Sequence, residues 1–212
     1  MVVLSQEFFS SVHSREFRRF ARQVRRELGR EPFELRSANY GVGANTFRAL
    51  GVYGEAPSKV YQAWAKAVCD RLDPVELAKQ ISSRAGFERW HASLAVTLER
   101  RWRKAYPGRP LSVAHKYKLV DLFIKWLSRY DHGCTEFTNA LVDHANCPLD
   151  SQALAKLNAC LKHALPISSP RMGDIKTEQT YQFCQALVEG FAVSNGASKL
   201  LFDYYAWKSG RL

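Results

Sequence analysis

Apolar positions recur every three to four residues along most of this chain, the spacing of one face of an α-helix. In residues 5–29, Phe8, Phe9, Val12, Phe17, Phe20, Val24 and Leu28 form such a stripe. Arg15, Arg18, Arg19, Arg22, Arg25, Arg26 and Arg30 fill much of the rest, which predicts an amphipathic basic helix or helix pair. From Pro57 onward the pattern is helical almost throughout. Ser58 is expected to cap a helix running through Val60, Trp64, Val68 and Leu72, and Asp73-Pro74 reads as a cap followed by proline at the first helical position. Residues 86–106 carry Phe87, Trp90, Leu94, Val96 and Leu98 and end in the basic run Arg100-Arg101-Trp102-Arg103-Lys104. Pro107-Gly108-Arg109-Pro110 breaks that helix. Ser112 then opens a helix through Leu119, Leu122, Phe123, Trp126 and Leu127, ended by Asp131-His132-Gly133. A shorter helix is expected before Asn146-Cys147-Pro148, then helices over 151–163, 177–191 and 198–207, with a loop over 166–173.

Alternating β-branched runs are few, so no sheet of any size is expected, and neither an internal repeat nor a low-complexity tract is visible. The fold class is all-α. The Pro107–Pro110 break divides an amino-terminal basic helical subdomain, 1–110, from a carboxy-terminal helical subdomain, 111–212. One stretch stands apart: Ser37-Ala38-Asn39-Tyr40-Gly41-Val42-Gly43-Ala44-Asn45, followed by Leu50-Gly51-Val52-Tyr53-Gly54. Its glycines mark turns and close backbone approach. It reads as an ordinary loop, with a phosphate-cradling hairpin as the alternative; the Walker lysine pattern is missing.

Charge narrows the partners. Thirty-one Lys and Arg against twenty Asp and Glu give a formal net charge of +11, which suggests a polyanion and most simply nucleic acid. An anionic membrane surface is the lesser alternative, and a merely solvated arginine face the bland one. Five cysteines, Cys69, Cys134, Cys147, Cys160 and Cys184, show no C-x-x-C spacing. The odd number and the spacing argue against structural zinc or a disulfide framework and fit reduced thiols in the cytoplasm. The opening residues lack a signal-peptide pattern, and no apolar stretch reaches membrane-spanning length.

Three short segments could carry chemistry. In Ala114-His115-Lys116-Tyr117-Lys118-Leu119-Val120-Asp121-Leu122-Phe123-Ile124-Lys125-Trp126, Lys118 stands near the start of a largely apolar helix. A lysine beside apolar surface loses hydration, which favours the free amine needed for attack; a snorkelling lysine is the plain alternative. In Asn146-Cys147-Pro148-Leu149-Asp150-Ser151, Asp150 occupies an N-cap position. A capping carboxylate is also well aimed and could stabilise positive charge growing on a sugar. In Phe202-Asp203-Tyr204-Tyr205-Ala206-Trp207, Asp203 and Trp207 are four apart, at the spacing of one helix face. An indole can stack on a base and a carboxylate can accept from base N–H groups; a packed tryptophan on an amphipathic last helix is the alternative.

Together, a lysine opening an apolar helix, a Pro-x-Asp helix start and a late Asp-x-x-x-Trp resemble the helix-hairpin-helix DNA glycosylase superfamily, closest to its archaeal 8-oxoguanine branch. The resemblance covers roughly 112–208, less than half of the chain. It implies a helical glycosylase-like fold with two helical subdomains flanking a cleft. It also implies Lys118 as nucleophile on the sugar C1′, Asp150 as the assisting aspartate, and Asp203 and Trp207 as base-binding residues. Lys116, Lys125 and Asp121 are the nearest substitutes for the catalytic pair. Arg100, Arg101, Arg103, Lys104 and Lys116 are the expected DNA contacts. No metal or cofactor is expected, and the partner would be DNA bearing a modified base, bound by a monomer. Two departures stand out: the hairpin's Leu-Pro-Gly-Val-Gly-like run is replaced by Ser112-Val113-Ala114-His115-Lys116-Tyr117, and Leu122 stands where the branch has an aromatic. The second puts 8-oxoguanine in doubt as the substrate. The chain also resembles, in overall character, bacterial anti-phage glycosylases, which would imply a bulky modified cytosine such as glucosylated hydroxymethylcytosine. A non-catalytic helical DNA- or RNA-binding module and a protein-interaction adaptor are the competing readings.

Overall fold

A computed structural model describes residues 6–33, 39–50, 55–165 and 169–208. The protein is all-α, with ten α-helices among the described residues. A 3-10 turn, Gln6–Phe8, leads into α1, Ser11–Glu27. The amphipathic basic helix or helix pair expected over 5–29 takes the form of this short turn and one helix, and Gly29 follows its end at φ +73°. On α1 the apolar residues Phe17, Phe20, Ala21 and Val24 face the core, while Arg15, Arg18, Arg19, Arg22, Arg25 and Arg26 are exposed. A short α2, Ala44–Phe47, follows. The next is α3, Pro57–Cys69, whose N-cap is Ala56 and whose first residue is Pro57. Ser58 is therefore inside the helix: proline, lacking an N–H, takes the first position and displaces the serine from the cap. The Asp73 cap forms as expected, accepting from Val75 and Glu76 N–H at 3.0 Å, and opens α4, Pro74–Ile81.

Ser83 opens α5, Arg84–Ala105, and Ser112 opens α6, Val113–Leu127. Then come α7, Thr135–His144, and α8, Ser151–Cys160, and finally α9, Glu178–Ser194, and α10, Lys199–Ala206. The one extended pairing among the described residues is two residues long, Glu31–Pro32 (β1) parallel to Tyr130–Asp131 (β2). It ties the segment after α1 to the end of α6.

The buried apolar residues form one cluster drawn from both sides of residue 110. The first helix packs on the last: Phe17 stacks on Phe191 at 5.3 Å and meets Phe202 edge-on at 6.0 Å. Each fully buried ring of this kind contributes roughly 1.5–3 kcal/mol. At the centre lies α6, whose Leu119, Val120, Phe123, Ile124 and Leu127 are inaccessible. Tyr40-Gly41 crosses its back. A Cβ on Gly41 would lie 2.5 Å from the Trp126 Cβ and 2.8 Å from the Leu122 carbonyl, so this glycine serves close packing on α6. The remainder of the glycine-rich stretch, Ser37, Ala38 and Gly51 to Gly54, lies outside the described residues.

Candidate active site along α6

Lys118 and Lys125 are seven residues apart, two helical turns, and so share a face of α6. Each meets an aspartate from a different element. Lys118 Nζ lies 3.6 Å from Asp150 Oδ2, with both side chains mostly buried. Asp150 is the N-cap of α8 and its Oδ1 accepts the Ala153 N–H at 2.9 Å. The two oxygens therefore have different tasks: one fixes the carboxylate to the helix start, the other points at an amine. Pro148, two residues earlier, has no N–H and stiffens the approach to the cap. On the turn before Lys118, Ser112 Oγ and His115 Nδ1 are 2.7 Å apart. Burial and the charge of Lys118 hold the His115 imidazole below its usual range, so it is a neutral neighbour at pH 7.

Lys125 forms an ion pair with Asp203, which is completely buried on α10. Burial pushes the Asp203 carboxyl up against the pull of Lys125. Burial is the strongest influence on Lys125 and works against its ammonium, but the charge of Asp203, its hydrogen bond and the nearby Tyr204 and Cys147 together outweigh it and hold the amine above its ordinary value. Asp203 Oδ1 has no hydrogen-bond partner among the described residues. Trp207 is placed differently. It is the C-cap of α10, its backbone N–H donates to the Asp203 carbonyl, and its side chain is half exposed. The i, i+4 spacing thus joins Asp203 and Trp207 by a backbone bond, while their side chains sit in different surroundings, one in the core and one in solvent.

Arg100, Arg101, Arg103 and Lys104 are exposed on the last turns of α5. Arg103 is paired with Glu99 at 2.6 Å. Lys116 is also engaged, at 3.0 Å from Glu178, which additionally accepts from the Tyr117 hydroxyl at 3.0 Å. On α1, Arg25 reaches Asp143 at 2.7 Å, whereas Arg15, Arg18, Arg19, Arg22 and Arg26 form no ion pair with another described residue. The larger unneutralised basic surface is therefore on α1.

Sequence reasoning missed a buried polar network on the neighbouring side of α6. Asp121 is 1% exposed. Its Oδ1 lies 2.8 Å from His91 Nε2 and its Oδ2 accepts the Tyr181 hydroxyl at 2.8 Å. Lys199 is buried nearby and donates to Asn146 Oδ1 at 2.6 Å. His91, Asp121, Tyr181 and Lys199 come from four helices and have no shared spacing, so no local pattern announces them. The cysteines stay clear of chemistry: none is in a disulfide, and burial pushes Cys69 and Cys160 up to about 12 and Cys147 well above its usual range. Among the described residues no group of three His, Cys, Asp or Glu could hold a metal ion, and no helix is long and apolar enough to cross a membrane.

Comparison with protein-family models, curated proteins and solved structures finds no match for this chain.

Proposed function

We propose that the protein is a DNA glycosylase acting on a base extruded from the duplex. The observation that carries this reading is Lys118 Nζ at 3.6 Å from the free oxygen of a helix-capping Asp150. A lysine and an aspartate so held suit attack on a sugar carbon. The amine forms a bond to C1′ as the C1′–N bond to the base breaks, and the base leaves with a proton. Asp150 stabilises the positive charge that develops on the sugar ring and accepts the proton lost by the amine. The C1′–O4′ bond then breaks, O4′ takes up a proton, and the ring-opened iminium is either released by water or loses a proton from C2′ and expels the 3′-phosphate, nicking the strand by β-elimination. The exposed arginines of α1 and the basic end of α5 supply phosphate contacts. Trp207 offers an exposed indole for stacking, whereas Asp203, completely buried against Lys125, would have to be uncovered to meet a base. Oxidised guanine and a glucosylated hydroxymethylcytosine of phage DNA are the two substrate classes, one for repair and one for defence.

A second reading is favoured by the same cap: Asp150 accepting from Ala153 is complete as a structural device, and Lys118 would then be its counter-ion in a non-catalytic nucleic-acid-binding protein. Base release separates the two. The protein is incubated with plain DNA, 8-oxoguanine DNA and glucosylated phage DNA, and free base is measured by mass spectrometry. Asp150→Asn is the control, because asparagine caps a helix as well as aspartate but carries no charge. A modified base freed by the wild type and not by Asp150→Asn supports the glycosylase. Borohydride trapping of a DNA adduct, lost in Lys118→Gln, assigns the nucleophile. Tight binding unaltered by Asp150→Asn, with no base released from any substrate, overturns it in favour of the binding module.

A further inference from the structure

Lys199 is only 2% exposed, yet no carboxylate of the described residues lies within ion-pair distance of its ammonium. Its hydrogen-bond partner is a neutral amide, Asn146 Oδ1 at 2.6 Å. A buried lysine without a counter-ion is costly, and a methionine would fill the same space without that cost. Three features of the fold oppose its charge. Burial removes its water, the Arg84 guanidinium stands nearby, and Lys199 is the first residue of α10, where helix dipoles present positive potential. More distant carboxylates, Glu189, Asp121 and Glu88, pull the other way without overcoming this. The amine is held at about 8, against 10.5 for a free lysine.

Lys199 also borders open space. Lys199 lines a cleft of about 450 Å³ together with Asn146, His91, Tyr117, Tyr181 and Arg84. Arg84, also in the lining, faces two carboxylates, Glu88 at 2.7 Å and Glu189 at 3.0 Å, so once the Lys199 amine is neutral, as it must be to react, these groups leave no excess positive charge to gather anions. One wall is a stack of three parallel rings: Tyr117 against Tyr181 at 4.2 Å, and His91 against Tyr117 at 5.6 Å. Behind them the chain of polar groups is closed, since Tyr181 donates to Asp121 and His91 meets the other Asp121 oxygen. Asn146 Nδ2 lies 3.4 Å from His91 Nε2, which joins the amide and its lysine to this network. The site adjoins the Lys118–Asp150 pair along α6, Tyr117 preceding Lys118 and Asp121 following it by one turn, but neither residue of the pair lines the cleft.

We propose that this cleft is a second reactive site, in which Lys199 captures a small, uncharged, polar aldehyde. The neutral lysine nitrogen forms a bond to the carbonyl carbon while the carbonyl oxygen takes up a proton, giving a carbinolamine. Loss of water from that adduct leaves the imine, and no oxidant or reductant is consumed. A cleft of this size with aromatic walls admits an aldehyde of open-chain sugar size, and with two carboxylates against one guanidinium it gives no advantage to a phosphorylated one when the amine is neutral.

The test uses the full chain with glycolaldehyde, cyanoborohydride to fix the imine, and peptide mass spectrometry from pH 6 to pH 10. Lys199 is expected to be modified ahead of the surface lysines, with half-maximal labelling near pH 8. Lys199→Met should remove that adduct alone. Asn146→Asp keeps the side-chain shape, places a carboxylate on the amine and should move half-labelling upward by a pH unit or more. Labelling confined to surface lysines at every pH overturns the proposal, as does a Lys199 profile that matches theirs or does not move in Asn146→Asp. The outcome is independent of whether the protein releases bases from DNA.

Discussion

Two lysines of this protein are buried in opposite electrostatic settings. Lys125 has a carboxylate against it and is held charged; Lys199 has an amide and its proton is held more weakly, at about 8. The difference has a consequence for stability. The folded protein binds the Lys199 proton less tightly than the unfolded chain, so between about pH 8 and pH 10.5 the unfolded state carries more protons and stability rises with pH. The penalty is complete below about pH 8 and lifts as the free-lysine value is approached; at roughly 1.4 kcal/mol per pH unit it is on the order of 3 kcal/mol. Urea unfolding at pH 8 and pH 10 should show wild type gaining on Lys199→Met by that order. Equal pH dependence of the two proteins would mean that Lys199 is protonated in the fold. None of this is legible from the residue's place in the chain. Lys199 follows a serine at the start of an amphipathic helix, where lysine is an unremarked choice. Asp150 is the contrary case: its cap is a local hydrogen bond to a residue three positions on, and the sequence spells it out.

Among the described glycines, Gly86, where α4 meets α5, has the least room for a side chain. A Cβ added to Gly86 would lie 1.9 Å from the Gln80 carbonyl oxygen, which is backbone and cannot step aside. In an isolated helix, glycine to alanine would gain up to about 1 kcal/mol. Here Gly86→Ala is expected to cost about 1–3 kcal/mol net, read as a lowered urea midpoint with unchanged m-value. A stabilised variant would show that α4 and α5 meet less closely. Helix positions were largely legible because their caps and apolar periods are local. The Ser58 cap failed for a reason that is equally local, proline being the stronger first residue. The Asp203–Trp207 spacing promised a shared helix face but could not reveal that α10 ends at Ala206, with the indole just past it and half exposed.

At the scale of the molecule, a net charge of +11 has to be set against which charges are already spent. Lys116 is held by Glu178 and Arg103 by Glu99, whereas Arg100 and Arg101 carry no ion pair with a described residue. On the proposed reading as a DNA-binding enzyme, duplex binding measured against salt should therefore lose about 0.9 of slope for each of Arg100 and Arg101 changed to glutamine, and little for Lys116→Gln. An unchanged slope in the double variant would move the phosphate contacts elsewhere, α1 being the next surface to test.

The sequence by itself determined the all-α class, most helix starts, the basic faces and the capping role of Asp150. Each depends on contacts within a few residues or on simple counting. Tertiary structure alone decided that Lys118 meets Asp150, that Lys125 is locked to Asp203, and that His91, Asp121, Tyr181, Asn146 and Lys199 converge beside a cleft. Those meetings join helices far apart in the chain, and which charges are stripped of water follows from the packing between them.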